Sequence, residues 1–230
     1  MTLNRKIAPE FGSITEFAFL PADISTTRSG VPCYFINGGN EDVIKIDFIF
    51  DAGSKRQDKT CLATATNSLL MEGTMKHSAL ELSDKLDSLG AFVQNSCSAD
   101  DAVISLYSLN KHVIKCLELI SEVINEASIP EKELYTYTNT QASRLRINQK
   151  KTDYLCKRAF HSALFGANHP YGRSANPEDY LNLHRKEIQT FFEENYSAVG
   201  LKIICSGKIT EEIRRYFNQL YFRNERAQKK

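Results

Sequence analysis

The segment "DVIKIDFIFD", residues 42–51, limits what this chain can fold into more than any other stretch. Ile44, Ile46, Phe48 and Phe50 recur with period 2, and Lys45 and Asp47 fall between them. Successive strand side chains point to opposite faces, so the pattern predicts a strand buried on one face only. Upstream, "VPCYFING" is a second apolar run, and Gly38, Gly39 and Asn40 separate the two. Two apolar runs around a glycine-rich turn predict a β-hairpin. No helix with the needed glycine spacing follows, so the pair is a turn and not a phosphate loop.

From Lys59 to Met71 the period becomes helical. Ser78 with Glu81 three residues on predicts a capping box for the next helix, and Gly90 its end. Two short strands are expected around Ser98–Asp101, followed by a long helix with Val113, Leu117, Ile120 and Ile124 on one face. Further helices open at Pro130, end at Gly166, and run through "KEIQTFFEENY", with the turn-rich "NHPYGRSANPEDY" before the last of these. A strand in "VGLKIICSG" and a helix capped by Thr210 complete the chain. With "FAFL" near the start, the order is βββ-αα-ββ-αααα-β-α. That order predicts an α+β fold: one mixed or antiparallel sheet of about five to six strands packed against helices. The expected organisation is a lead segment, 1–25, and one domain, 26–230, because no linker or internal repeat divides the rest.

Twenty-nine basic against 28 acidic residues, a net charge of +1, argue against a dedicated nucleic-acid binder, which needs a concentrated basic surface. The runs "RLRINQKK" and "RNERAQKK" read as a solvated helix face and a tail. No stretch of 18 apolar residues predicts a membrane span, and the N-terminus has no apolar signal-peptide core. The six cysteines are dispersed without a C-x-x-C pair, so reduced core thiols and a cytoplasmic location are expected.

The helix in "CLATATNSLLMEGT" carries Thr64, Asn67 and Ser68 at i, i+3 and i+4, three small polar groups on one face. Together with "DAGSKRQDKT", "LDSLGAFVQNSCSADDAVISL", "FGANHPYGR" and "FFEENYSAVGLKIICSGKIT", this segment resembles the pitrilysin/insulinase superfamily of zinc peptidases, which includes the mitochondrial processing peptidases. The resemblance runs from about Gly30 to Gly207 and implies one half of a two-domain subunit. Active members carry H-x-x-E-H, two zinc-binding histidines and a glutamate base, where this chain reads "TATNS". Those roles fall on Thr64, Asn67 and Ser68. Hydroxyl and amide groups are poor zinc ligands. The third ligand of active relatives, a downstream glutamate, projects onto Ser143 and Arg144, in a window with no acidic residue between Glu133 and Asp153. No catalytic residue, metal ligand or cofactor is therefore expected here, and zinc only in a catalytic partner.

No other cluster rebuilds a site. Of His77, His112, His161, His169 and His184, only His112 has a Cys or His at helical spacing, Cys116. Cys116, beside Lys115 and His112, is also the one cysteine whose neighbours favour a thiolate. Active relatives hold substrate as a strand added to the sheet edge beside the zinc helix. The matching residues here are Phe92, Val93, Gln94, Asn95 and Ser96, with neither proline nor charge to guard the edge. The resemblance thus implies a catalytically silent domain that binds extended peptide, supports a catalytically intact homologous subunit, or self-associates. An active zinc endopeptidase and a purely architectural subunit are the alternatives.

Overall fold

The computed structural model describes residues 18–224, with Ala8 and Gly12. Within these residues six strands form one sheet: β1 (Asp23–Thr26), β2 (Pro32–Asn37), β3 (Val43–Phe50), β4 (Phe92–Cys97), β5 (Ala102–Leu109) and β6 (Lys202–Gly207). Their order is β1-β2-β6-β3-β5-β4; β2 and β6 run parallel and every other pair is antiparallel. The α+β class, with one mixed sheet packed against helices, is as expected.

The α-helices of the described residues are α1 (Leu62–Leu69), α2 (Ala79–Ser88), α3 (Val113–Glu126), α4 (Glu131–Asn148), α5 (Thr152–Phe165), α6 (Pro177–Leu181), α7 (Arg185–Asn195) and α8 (Glu211–Gln219). The capping box at Ser78 and Glu81 is formed, and Thr210 caps α8. Two expectations change at this level. The short helix α6 lies in the supposed turn region, closed by its own capping box of Asn176 and Asp179. The first strand is "DIST", Asp23–Thr26, which straddles the end of the lead segment 1–25, and not "FAFL"; residues 18–20 form no strand and Phe17 lies outside the described residues.

The larger correction concerns the hairpin. β2 and β3 do not pair, because β6 lies between them. Cys33 and Phe35 align with Ile203 and Cys205 on one side of β6, and Ile46 and Phe48 align with Cys205 and Ile203 on the other. The Gly38–Asp42 connection therefore spans two strand spacings, about 10 Å. Gly38 N–H donates to the Gly207 carbonyl (3.0 Å), seating the turn over the end of β6. Gly207 itself has φ of 127°, and a Cβ there would lie 2.4 Å from the Val43 carbonyl oxygen. Only glycine lets β6 finish against β3 in this way.

One sheet face is the core. Ile44, Ile46, Phe48 and Phe50 of β3 are buried with Ile104 and Leu106 of β5 and Ile203 and Cys205 of β6. The apolar faces of α1, α3, α7 and α8 complete this cluster, including Leu69, Ile120, Phe192 and Phe217. Phe35 meets Phe217 edge-on at 5.3 Å, and Phe50 packs on Tyr196 at 4.8 Å. Removing a buried ring such as Phe50 costs about 3–5 kcal/mol. The opposite face is mixed and partly exposed: Lys45, Asp47 and Ser105 share it with Tyr107 and with the exposed apolar side chains of Val43, Phe92 and Leu109. Among the described residues, no helix is long and apolar enough to cross a membrane.

Candidate functional site

Helix α1 begins without a side-chain cap from its own N-cap residue, Cys61, which takes φ of 71°. Gln57 supplies the cap from the preceding turn: its Oε1 accepts from Ala63 N–H at 3.0 Å. The apolar residues Leu62, Ala63, Ala65 and Leu69 face the core, which turns the Thr64, Asn67 and Ser68 side toward β4 and α4.

Each of the three side chains meets a neutral partner. Asn67 is fully buried. Its Nδ2 donates to the Ser96 carbonyl at 2.7 Å and, more weakly, to the Val103 carbonyl at 3.4 Å. Its Oδ1 accepts from the Tyr196 hydroxyl at 3.3 Å, and its backbone carbonyl accepts from Asn95 Nδ2. Thr64 faces the Cys97 thiol, whose pKa is raised by burial and partly offset by that hydroxyl. Ser68 faces the Tyr137 hydroxyl of α4, which burial pushes up to about 12. That hydroxyl makes no hydrogen bond of normal length. Arg144, two turns further along α4, is exposed, and its charge acts on Tyr137 in the opposite direction. Behind α1, Cys61 and Tyr180 pair through their polar atoms; burial pushes the Cys61 thiol up to about 12 and raises the Tyr180 hydroxyl also. Tyr180 meets Tyr137 edge-on at 6.2 Å.

Zinc does not fit this arrangement. The donors at 64, 67 and 68 are two hydroxyls and an amide, and the amide is held in backbone hydrogen bonds. Phenols and thiols with raised pKa values would have to lose protons before binding a cation, at a cost that burial increases. Ser143 and Arg144, where a third ligand projects, are both exposed on α4 and offer no carboxylate. Among the described residues, no three His, Cys, Asp or Glu side chains converge. His112 and Cys116 do not form a pair either: Cys116 is buried against Ser108 Oγ at 3.4 Å, and burial raises its pKa. The thiolate suggested by Lys115 and His112 is therefore disfavoured. Position along the helix suggested it; only the packing reveals the desolvation.

Phe92–Ser96 fall within β4, which among the described residues is the last strand of the sheet, paired on one side with β5. Ser98 N–H donates to the Asp101 carbonyl at 2.8 Å across the turn. Antiparallel ladders alternate, so the Ser96–Val103, Gln94–Ser105 and Phe92–Tyr107 pairs bond across the hairpin. Val93, Asn95 and Cys97 then present N–H and C=O groups to the outer edge. Their side chains point to the helix face, in register with Leu106, Ile104 and Ala102. Beside the start of the strand, a cleft of about 290 Å³ is lined by Met71, Glu72, Leu82, Leu86, Phe92 and Val93 among others. Burial and the nearby Glu133 raise the pKa of Glu72. Sequence patterning missed Tyr137, Tyr180 and Tyr196, which lie far from α1 in the chain and are local apolar positions until the fold brings them to it.

Known proteins place this geometry in a family. The chain is 21% identical over 179 residues to the mitochondrial-processing peptidase subunit beta of Neurospora crassa, covering 74% of this chain and 37% of that protein. It is 23% identical over 146 residues to the alpha subunit of Solanum tuberosum, covering 63% and 29%. A peptidase M16 inactive domain from Pseudomonas fluorescens superposes with TM-score 0.78 at 20% identity, over 91% of this chain and 54% of that one. The first half of the periplasmic protease PqqL from Escherichia coli superposes with TM-score 0.79 at 14% identity, over 93% and 50%. The chain thus spans about a third of these curated relatives and about half of these solved structures. Residues 37–178, from the end of β2 into α6 and including all of α1, β4 and α4, match the profile of Insulinase (Peptidase family M16). The chain belongs to the insulinase family of peptidases, M16.

Proposed function

We propose that this chain is a catalytically silent M16 half-domain that holds extended peptide along β4 and supports a catalytically intact homologous subunit. The observation that carries the proposal is the state of Asn67: the residue at the position of the general base is an amide bonded to the Ser96 carbonyl. Nothing at 64, 67 or 68 can bind zinc well or deprotonate water, so hydrolysis is not its chemistry. What the domain retains is a strand edge beside that helix, with main-chain donors and acceptors at Val93, Asn95 and Cys97. Strand addition needs only those groups, so it outlasts the loss of catalytic side chains. Side chains of an added peptide on the helix side would enter the cleft of Met71, Leu82 and Phe92.

Two similarities support the partner role, both to proteins named as one part of a larger peptidase: the subunits of the mitochondrial processing peptidase and the first half of PqqL. Co-expression of the full-length parent with an H-x-x-E-H homologue of the same genome tests it. The expected result is co-elution on size exclusion and a change in peptide cleavage by the homologue. Two separate peaks with unchanged cleavage would overturn the partner role. Failure of fluorescein-labelled β-casein, an unfolded polypeptide, to bind the chain would overturn the peptide-holding role.

A further inference from the structure

We infer that Asn67 is a positioning residue for the edge strand: its amide pins the β4–β5 hairpin to α1 and so holds β4 in the register that presents Val93, Asn95 and Cys97 outward. This rests on the strand-addition role proposed above and says which side chain makes the edge available.

Four contacts meet at this one residue. The Nδ2 group donates to Ser96 O on β4 at 2.7 Å and approaches Val103 O on β5 at 3.4 Å, two carbonyls that face each other across the hairpin. The Oδ1 accepts from Tyr196 OH at 3.3 Å, and the backbone carbonyl accepts from Asn95 Nδ2. Tyr196 is itself held: its ring packs on Phe50 and Phe192, and its carbonyl accepts from the Arg223 guanidinium at 3.1 and 3.2 Å. A rigid base below and two strand carbonyls above make Asn67 a bridge between the core and the sheet edge.

The arrangement demands a donor on one side and an acceptor on the other. A primary amide supplies both. An ionised carboxylate, the group of a general base, supplies only acceptors and would face two carbonyl oxygens. The site is therefore rebuilt around the amide and does not simply lack its ligands. A protonated carboxylic acid, by contrast, has the amide's donor-acceptor pattern and nearly its shape.

Asn67→Asp exploits that difference. Amide hydrogen exchange at Ser96 and Val103 reports the hairpin ladder, and exchange at Ile46 in β3 reports the core. An unsatisfied buried polar group costs about 1–3 kcal/mol, which corresponds to roughly 5–150-fold faster opening. At pH 8 the variant is expected to show an acceleration of that order at Ser96 and Val103 but not at Ile46, once intrinsic rates are divided out. Affinity for labelled β-casein should fall in parallel. Burial and the two facing carbonyls raise the pKa of the new acid, so as pH falls toward 5 it regains its proton and both quantities should return toward wild type, which stays flat. The groups facing this side of α1, Cys97, Tyr137 and Tyr196, have raised pKa values and stay neutral over that range, so the profile belongs to the introduced acid. Wild-type protection in the variant at pH 8, or a loss independent of pH, would overturn the inference. Should the variant not fold, the wild type decides: an Asn67 side-chain amide proton that exchanges slowly, with a through-bond coupling to the Ser96 carbonyl carbon, supports the bridge, and a freely exchanging one overturns it. Wild type that binds no casein overturns the peptide-holding role proposed above, while the exchange result judges Asn67 on its own.

Discussion

The Tyr171 hydroxyl donates to Asp100 Oδ1 at 2.7 Å, tying the loop after α5 to the turn between β4 and β5. Lys55 reaches the same carboxylate at 3.0 Å, and Arg56 and Lys55 flank Asp51. The turn next to the proposed peptide edge is thereby held by charged and polar contacts from two distant segments.

Those contacts set an acid limit on the turn. Hydrogen bonds from Tyr171 and Lys55 lower the Asp100 pKa, and the Arg56 contact, against burial, lowers that of Asp51. A carboxylate with a lowered folded-state pKa contributes stability above its unfolded value, and that contribution is lost as pH falls through the folded value. The turn is therefore expected to loosen below about pH 4, near the ordinary aspartate value, and not in the neutral range. Carboxyl-carbon NMR titration of Tyr171→Phe should show the Asp100 midpoint moving up toward that ordinary value. An unchanged midpoint would show that the tyrosine does not hold it.

Zinc content separates a silent domain from an active peptidase. Structural zinc contributes about 10 kcal/mol or more of apparent binding free energy, so a real site survives dialysis against a weak chelator. Elemental analysis after such dialysis is expected to find no stoichiometric zinc. Restoring the motif with Thr64→His, Asn67→Glu and Ser68→His should yield neither full zinc occupancy nor cleavage. Two histidines leave the ion short of ligands, and Arg144 lies on the α4 face near Tyr137. The carboxylate introduced by Asn67→Glu would also meet the Ser96 and Val103 carbonyls, so stability should drop by about 1–3 kcal/mol. Stoichiometric zinc with peptide cleavage by the triple variant would refute this account.

Proline at the edge distinguishes the two sides of β4. The Val93 N–H faces outward, so Val93→Pro leaves the β5 ladder intact and removes one donor from the edge. Binding of labelled β-casein should weaken by about tenfold, with the melting temperature nearly unchanged; a neutral hydrogen bond and local stiffening together are of that order. Gln94→Pro should instead destabilise the hairpin, since its N–H faces β5. Casein affinity undiminished in Val93→Pro would exclude strand addition at this edge. Asn95→Pro also removes a side-chain bond to Asn67, so it is the less clean test.

Thiol reactivity checks the packing directly. All six cysteines are free; Cys33, Cys61, Cys116 and Cys205 are buried, Cys97 is half-buried, and Cys156 lies exposed on α5. Burial pushes the Cys33 and Cys205 thiols up to about 12, so neither ionises near neutrality. A thiol-specific reagent at pH 8 should therefore label Cys156 quickly and reach the others only after denaturation. Rapid native labelling of Cys116 would contradict its placement against Ser108.

The sequence by itself determined most of the helices and strands, though not α6 or β1, which face of the periodic ones is buried, and that Thr64, Asn67 and Ser68 share one side of α1. Those are local matters: the period-2 run of β3, the Ser78–Glu81 box and the H-x-x-E-H spacing are all read within a few residues. Partners across the fold were decided only by the tertiary structure. Periodicity states that Phe35 and Phe48 point inward, but not that β6, more than 150 residues on, separates their strands. A glycine-rich turn between apolar runs looks the same whether it joins neighbours or steps over a third strand. Likewise three small polar residues share one face of a helix, and nothing near them in the chain tells what they contact. The answer lies 29 residues away at Ser96 and 129 away at Tyr196, because a buried amide must find its donors and acceptors wherever the packed backbone and side chains offer them.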